Sequence, residues 1–183
     1  MILLTTPRLL IRDHREDDLE AYHELLSNPT VMFRHSETSQ TLEQSKERLR
    51  KSIEQINLPQ RELYYLCMEE RATSEFVGEI GYGVTKFTPL GKLAGVGYFI
   101  HDRYWGNGYT TEAMKEVIRF AFEENGVYRF EAGCLKENAG SERVLQKCGF
   151  LKEADLKEYQ WHDGKLKDRV LYRLLRSEWS QNQ

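Results

Sequence analysis

The chain has no apolar run approaching the roughly 20 residues needed to cross a bilayer, and its N-terminus lacks the basic and apolar regions of an export signal. A soluble, cytoplasmic protein with no membrane partner is expected. Cysteine is scarce: Cys67, Cys134 and Cys148 make an odd number, widely spaced inside apolar stretches. That pattern argues against a disulfide framework and for a reducing compartment. The five histidines, His14, His23, His35, His101 and His162, form no i,i+4 pair and no zinc-type spacing with cysteine, so no metal is expected. No Gly-Lys-Ser/Thr follows a strand-like run, which argues against a triphosphate loop. An excess of one charge is also missing, since 26 basic and 29 acidic residues are interspersed for a net charge of −3. Nucleic acid is therefore not an expected partner. With no low-complexity tract, linker or repeat, the 183 residues read as one domain.

What is present is a regular alternation of strand and helix patterns. Leu9 to Ile11 reads as an opening strand, followed by helices over about Glu16 to Leu26 and Thr41 to Ile56. The second has Leu42, Leu49, Ile53 and Ile56 on a narrow stripe, Thr41-x-x-Gln44 as a capping box, and a charged stretch, Glu43 to Lys51, that reads as a solvated face. Pro29 falls just beyond the first helix. Three strands, about Glu62 to Glu69, Glu75 to Phe87 and Leu93 to His101, form an antiparallel meander. A helix over Tyr109 to Glu124 and a strand over Val127 to Leu135 then complete a crossover unit. Asn138 to Cys148 is a short helix closed by Gly149, and Leu156 to His162 pairs with Lys165 to Leu175 around Asp163-Gly164. The class is α+β, with a mixed and mostly antiparallel central sheet flanked by helices.

The richest stretch is Arg103-Tyr-Trp-Gly106-Asn-Gly108-Tyr-Thr-Thr-Glu-Ala113, a glycine-interrupted turn entering a helix. Two glycines let the backbone approach a ligand, and the helix start offers free N–H groups and a positive dipole end to an anion. The third glycine of a dinucleotide fingerprint is replaced by Thr111, so that match is weak.

Arg103-x-x-Gly106-x-Gly108 resembles the acyl-CoA signature of the GNAT superfamily of N-acetyltransferases. Tyr104 to Tyr109 with Thr111-Glu112-Ala113, Asn138-Ala-Gly-Ser141 with Gly149-Phe150, and Thr6-Pro7-Arg8-Leu9 to Arg12 resemble its branch of ribosomal-protein N-terminal acetyltransferases. The resemblance covers nearly the whole chain, and the order of elements agrees with it. It implies an enzyme that transfers an acetyl group from acetyl-CoA to a primary amine by direct attack, with a sheet splayed beside the cofactor. The acceptor it favours is a protein N-terminus, with small-molecule amines as the alternative.

By this resemblance the amides from Trp105 through Gly106, Asn107, Gly108 and Tyr109 to Thr110 cradle the CoA pyrophosphate next to Arg103. Main-chain groups around Phe99 and Ile100 take the pantetheine arm and polarise the thioester carbonyl. Asn138 reaches the pantetheine, and Ser141 is the candidate general acid, because relatives that use a tyrosine have it where this chain has Leu145. Glu79 is the candidate base, on a strand face that the small neighbours Gly78, Gly81 and Gly83 would leave open; His101 is the second choice. Tyr82, Tyr98 and His101 are candidate acceptor-binding residues.

Plainer readings stand beside these. Gly106 and Gly108 can be turn glycines, Asn138 and Ser141 a helix start, Glu79 a solvated strand residue, Tyr82 and Tyr98 core aromatics, and Cys134 a core residue rather than a nucleophile. A CoA-binding sensor without turnover is the alternative to an enzyme. A symmetric homodimer is the default assembly.

Overall fold

In the computed structural model, which describes residues 1–35 and 37–180, the alternating stretches form strands and the amphipathic stretches form helices. The strands are β1 (Leu3–Thr5), β2 (Leu9–Asp13), β3 (Leu63–Glu70), β4 (Phe76–Thr88), β5 (Gly91–Ile100), β6 (Val127–Leu135), β7 (Leu151–His162) and β8 (Lys165–Leu175). The helices are α1 (Leu19–Ser27), α2 (Pro29–Arg34), α3 (Leu42–Gln55), α4 (Tyr109–Glu123), α5 (Ala139–Lys147) and α6 (Arg176–Ser180). The sheet has eight strands in the order β1-β2-β3-β4-β5-β6-β8-β7. Its described ladders are antiparallel except β5 with β6, so the expected mixed, mostly antiparallel class holds. No described helix is long and apolar enough to cross a membrane. The chain forms two compact units, residues 1–83 with 97–118, and residues 84–96 with 119–183.

In the first unit, Tyr22, Leu25, Leu26, Val31, Met32, Leu49 and Phe99 form a buried cluster. Asn28 explains a helix that the sequence reading missed. Its extended backbone ends α1, while its side chain accepts from the Thr30 N–H at 2.9 Å and so caps α2, with Pro29 in the first turn where its missing N–H costs nothing. At α3 the capping box forms as expected, with Thr41 N–H donating to Gln44 Oε1 at 2.8 Å and Gln44 N–H to Thr41 Oγ1 at 3.3 Å. Its packed face differs from the apolar stripe: Leu42 is exposed, while Ser45 and Ser52 are buried beside Leu49. Ser45 meets His23 Nδ1 at 3.0 Å, which satisfies a hydroxyl that helix packing takes from water.

Gly78 and Gly81 do not open a face around Glu79. A Cβ at Gly78 would stand 2.2 Å from the Phe99 carbonyl oxygen, and one at Gly81 would stand 1.9 Å from that of Tyr64. The glycines let neighbouring main chain close over the strand, and Glu79 to Tyr82 are all buried.

In the second unit, β6 lies between β5 and β8, with Lys92 to Gly95 running parallel to Val127 to Glu131. Phe130 packs against Phe122 and Phe150 at ring separations of 5.2 and 6.4 Å. The β7–β8 hairpin turns at Asp163 and Gly164, whose φ angles of 51° and 72° suit the tight turn expected there. β7 starts at Leu151 rather than near Leu156. Register shifts at Lys152/Ala154 and Leu156/Gln160, with Glu158 at φ 47°, break the alternation that would have marked its first half.

Candidate functional site

The glycine turn belongs to the first unit. After β5 the chain makes a single 3₁₀ turn, Asp102–Tyr104, and then passes through Gly106 and Gly108, both at φ 79°. Side-chain-bearing residues meet a steric cost in this left-handed region, so both positions call for glycine. Glu112 N–H donates to the Gly108 carbonyl at 3.0 Å, the first bond of α4. Residues 109 and 110 precede that bond, in the first turn of α4 where helix amides point out of the helix end. Residues 106 to 108 are exposed.

Trp105 is a correction: its amide is not part of an open cradle, because it donates to the Asp102 carbonyl at 3.0 Å. The indole Nε1–H bonds the Ile100 carbonyl at 3.0 Å, tying the turn to the end of β5, where Phe99 and Ile100 are buried. Arg103 is exposed, and its guanidinium pairs with Glu24 at 3.3 Å. Tyr109 and Thr110 are buried at the start of α4, with the Tyr109 hydroxyl donating to Glu70.

Behind the turn stands a support whose parts the sequence showed without their roles. The Glu112 carboxylate accepts from Thr6 Oγ1 at 2.6 Å, from the Arg8 amide at 3.0 Å and from Arg8 Nε at 2.7 Å. Arg8 Nη1 in turn donates to the Asn107 carbonyl at 2.9 Å, and the guanidinium lies 4.4 Å from the Tyr109 ring centroid. Burial pushes the Glu112 carboxyl up, but the bonds from Thr6 and Arg8 outweigh it and hold the group below its usual range. The Thr-Pro-Arg and Thr-Glu-Ala segments are thus two halves of one clamp on the turn.

This arrangement fits a diphosphate. A Cβ at Gly106 would meet nothing within 4 Å, and one at Gly108 would meet only Arg8 Nη2 at 3.6 Å. The backbone is therefore open on the ligand side and flanked by a guanidinium.

The same unit holds a cavity of about 840 Å³, lined on one side by Glu43, Gln44, Glu47, Arg48 and Lys51 of α3 and on others by Tyr22, Tyr65, Glu37 and Glu79. The charged stretch of α3 is thus a cavity wall as well as a surface, and Glu79 is not a solvated residue. Glu79 is 1% exposed. Its carboxylate meets His14 Nε2 at 3.1 Å and accepts from Tyr22 OH at 2.9 Å and Arg48 Nη2 at 3.0 Å.

These contacts belong to an alternating row of charges running through the unit. Glu69 pairs with Arg12 at 3.0 Å, Arg12 with Asp18 at 2.7 Å, Asp18 with His14 at 3.4 Å, His14 with Glu79 at 3.1 Å, Glu79 with Arg48 at 3.0 Å, and Arg48 with Glu37 at 3.8 Å. Burial disfavours the charged His14 ring, but its contacts with Asp18 and Glu79 outweigh that and hold its pKa above the ordinary value. Burial likewise pushes Glu79 up, and His14, Arg48 and Tyr22 more than reverse it, so the carboxyl titrates below its ordinary value. Glu79 is an ionised, well-held carboxylate and a weak proton acceptor.

The candidate acceptor-binding residues separate. Tyr82 is fully buried and stacked on Tyr64 at 4.8 Å, so it packs the core and is not among the residues lining this cavity, unlike its expected role at the acceptor. Tyr98 is half-buried, with its ring edge-on to His35 at 6.0 Å. His101 is 2% exposed and absent from the cavity lining. Burial, then the charge of Arg103, hold it below its ordinary pKa, and its Nε2 has no hydrogen-bond partner among the described residues. His35, which sequence reasoning passed over, packs on the Phe99 ring at 4.5 Å.

The second unit carries the other candidates. Asn138 Oδ1 accepts from Ser141 N–H at 3.1 Å, so Asn138 caps α5. Ser141 is half-buried in the first turn, next to Cys134 of β6, whose thiol is pushed up by burial while the Ser141 contact acts the other way. That thiol is not activated as a nucleophile. Leu145 is buried one turn further on. Tyr172, also buried, donates its hydroxyl to Glu142 of α5 at 2.5 Å.

Among known proteins, residues 8–151 match the family described as an acetyltransferase (GNAT) domain. The chain is similar to the uncharacterized N-acetyltransferase YoaA of Bacillus subtilis (strain 168), at 28% identity over 175 residues that cover 95% of this chain and 97% of that protein. Its fold is similar to the solved ribosomal-protein-S5-alanine acetyltransferase from Vibrio fischeri, with a TM-score of 0.81 at 22% identity over 98% of this chain and 99% of that one. It is also similar to spermidine N-acetyltransferase from Vibrio cholerae in complex with CoA and spermine, with a TM-score of 0.80 at 18% identity over 96% and 99% of the two chains.

Proposed function

The chain belongs to the GNAT family and is an acetyl-CoA-dependent N-acetyltransferase, and from this premise we propose that its acceptor is the α-amino group of a protein N-terminus. One observation carries this choice: the carboxylate at the cavity floor, Glu79, is saturated by His14, Tyr22 and Arg48 and held below its ordinary pKa. A site with so weak a base suits an amine that is already partly neutral. An α-amino group has a pKa near 8, whereas an alkylamine such as lysine, at about 10.4, needs stronger help.

Acetyl-CoA supplies the acetyl group as a thioester. The amides of Gly106, Asn107, Gly108, Tyr109 and Thr110 hold its diphosphate, with Arg103 and Arg8 contributing positive charge nearby. Main-chain groups of Phe99 and Ile100 bind the pantetheine arm, and an N–H there stabilises the developing oxyanion. Asn138 and Ser141, in the second unit, keep the roles that the family resemblance implies for them, contact with the pantetheine and proton donation to the departing sulfur, the Ser141 hydroxyl being reprotonated from water. Glu79 orients the acceptor through water at the cavity floor.

A second reading is a polyamine acceptor. It is favoured by the carboxylates of Glu37, Glu43 and Glu47 in the cavity wall and by the similarity to the spermidine enzyme. Thiol release from acetyl-CoA decides between the two. Turnover with an N-terminal peptide at least tenfold faster than with spermidine supports the first reading, and the reverse order overturns it. CoA binding by calorimetry without thiol release from either acceptor would instead identify a sensor.

A further inference from the structure

Two successive carbonyls of the glycine turn are held from the protein side. We propose that Arg8 and Glu112 are positioning residues: they latch the peptide plane between Asn107 and Gly108 so that its N–H faces the diphosphate of CoA. The inference rests on the reading of this turn as the diphosphate cradle. Arg8 Nη1 donates to the Asn107 carbonyl at 2.9 Å, and the Glu112 N–H donates to the Gly108 carbonyl at 3.0 Å. In a planar trans peptide the carbonyl oxygen and the following N–H point in opposite directions. Fixing the two oxygens therefore fixes the N–H groups of Gly108 and Tyr109 on the other side of their planes. Gly108 cannot do this by itself, because glycine takes positive and negative φ with similar ease and its φ of 79° is only one of its wells. Turning the plane between Asn107 and Gly108 over would exchange N–H for C=O, and an anion would then meet an oxygen in place of a donor.

The latch has a fixed base. The Glu112 carboxylate takes Arg8 Nε and Nη2, each at 2.7 Å, together with the Arg8 amide at 3.0 Å and Thr6 Oγ1 at 2.6 Å. With Nε and Nη2 spent on Glu112, Nη1 is the nitrogen left to hold the turn. From behind, the Arg8 carbonyl accepts from the Arg71 N–H at 2.9 Å, and Arg71 Nη1 donates to the Thr6 carbonyl at 2.9 Å. The guanidinium carbon lies over the Tyr109 ring at 4.4 Å, which sets the plane of the fork. The Arg8 charge is shared with an anion in direct contact, so the geometry of the fork carries more of the effect than the charge. A planar guanidinium bridges a carboxylate and a carbonyl at once, which a single ammonium on a flexible stem does not.

The test is CoA binding by calorimetry to wild type, Arg8→Met, Arg8→Lys and Glu112→Gln, with NMR relaxation dispersion of the Gly108 amide in the ligand-free proteins. Arg8→Met should weaken CoA binding about tenfold, the factor expected if about one molecule in ten keeps the competent plane. Arg8→Lys keeps the charge but loses the fork, and should weaken binding nearly as much. Glu112→Gln decides between latch and charge. It removes a negative charge beside the anion site, so charge alone predicts tighter binding, whereas a loosened latch predicts weaker binding. Microsecond-to-millisecond exchange should appear at Gly108 in all three variants and stay absent from Val117 in the middle of α4. CoA bound as tightly as by wild type in either Glu112→Gln or Arg8→Lys overturns the inference. So does exchange that spreads through α4, which would make the pair an anchor of the helix alone. If Glu112→Gln does not fold, the two Arg8 variants decide, because the Arg8 side chain is 44% exposed and its loss leaves no buried gap. Wild type that fails to bind CoA overturns the cradle reading, and the inference with it.

Discussion

The turn over residues 106 to 110 and the floor of the cavity at Glu79 lie in the same unit and treat polar groups in opposite ways. The turn keeps residues 106 to 108 exposed at the start of a helix, where backbone N–H groups are open to water or to an anion. The floor takes Arg12, Asp18, His14 and Glu79 out of water, and each charge in the row from Glu69 to the exposed Glu37 has a partner of opposite sign within 3.8 Å. The difference teaches where tolerance ends. A backbone site depends on conformation and loses function when that is altered, while a buried ionic row depends on complete pairing and loses stability when one member is removed.

The largest effect should come from the turn. Gly108→Val puts a β-branched residue at φ 79° beside Arg8, and CoA binding by calorimetry should become undetectable while circular dichroism stays native. A variant that binds CoA within tenfold of wild type would show that the left-handed turn is not the cradle. On the other side of the comparison, Glu79→Ala leaves His14 and Arg48 without their shared anion and should cost about 3–5 kcal/mol in urea unfolding. A cost below about 1 kcal/mol would mean that water enters the floor and the row is not a buried unit. Smaller again, Ser141→Ala should lower turnover roughly tenfold, or about 1.4 kcal/mol in barrier, with little change in CoA affinity. Normal turnover would return Ser141 to its place as a first-turn residue beneath the Asn138 cap.

The two regions also differ in how far they could be read from the residues. The turn was legible because its parts are local: Gly106, Gly108 and the α4 start are contiguous, and each glycine occupies the left-handed region that the pattern calls for. The Trp105 amide was misplaced because a 3₁₀ turn one residue earlier had already taken it. The ionic row was not legible. Its members come from β2, β3, β4, α3 and the segments beside them, and apart from His14 with Asp18 none of the spacings between Arg12, His14, Asp18, Arg48 and Glu79 announces a contact. Only the i,i+4 relation of His14 to Asp18 was visible, and it carries no meaning until Glu79 closes the other side of the ring. Likewise α2 was hidden because Asn28-Pro29 signals a stop and a start with the same two residues. The first half of β7 was hidden because bulges erase the alternation on which strand reading depends.

The finest test of the floor is titration of His14 itself. Its pKa is raised in the folded protein from an ordinary 6.5, so the folded state holds a proton that the unfolded state has lost once the pH exceeds that value. The stabilisation is complete below 6.5 and declines as the pH climbs through the raised folded value. The slope is at most about 1.4 kcal/mol per pH unit for one proton. His35 and His101 are lowered instead, so their effect on stability falls below 6.5 and leaves the range above it to His14. On the acid side Glu79 is lowered from 4.5, so its contribution is lost only as the pH falls beneath that value. Urea unfolding from pH 6.5 to 8.5 should therefore show stability falling in wild type and flat in His14→Gln, where a neutral amide replaces the ring. A flat wild-type profile would mean that His14 sits neutral between Asp18 and Glu79, and the row of alternating charges would then break at its centre.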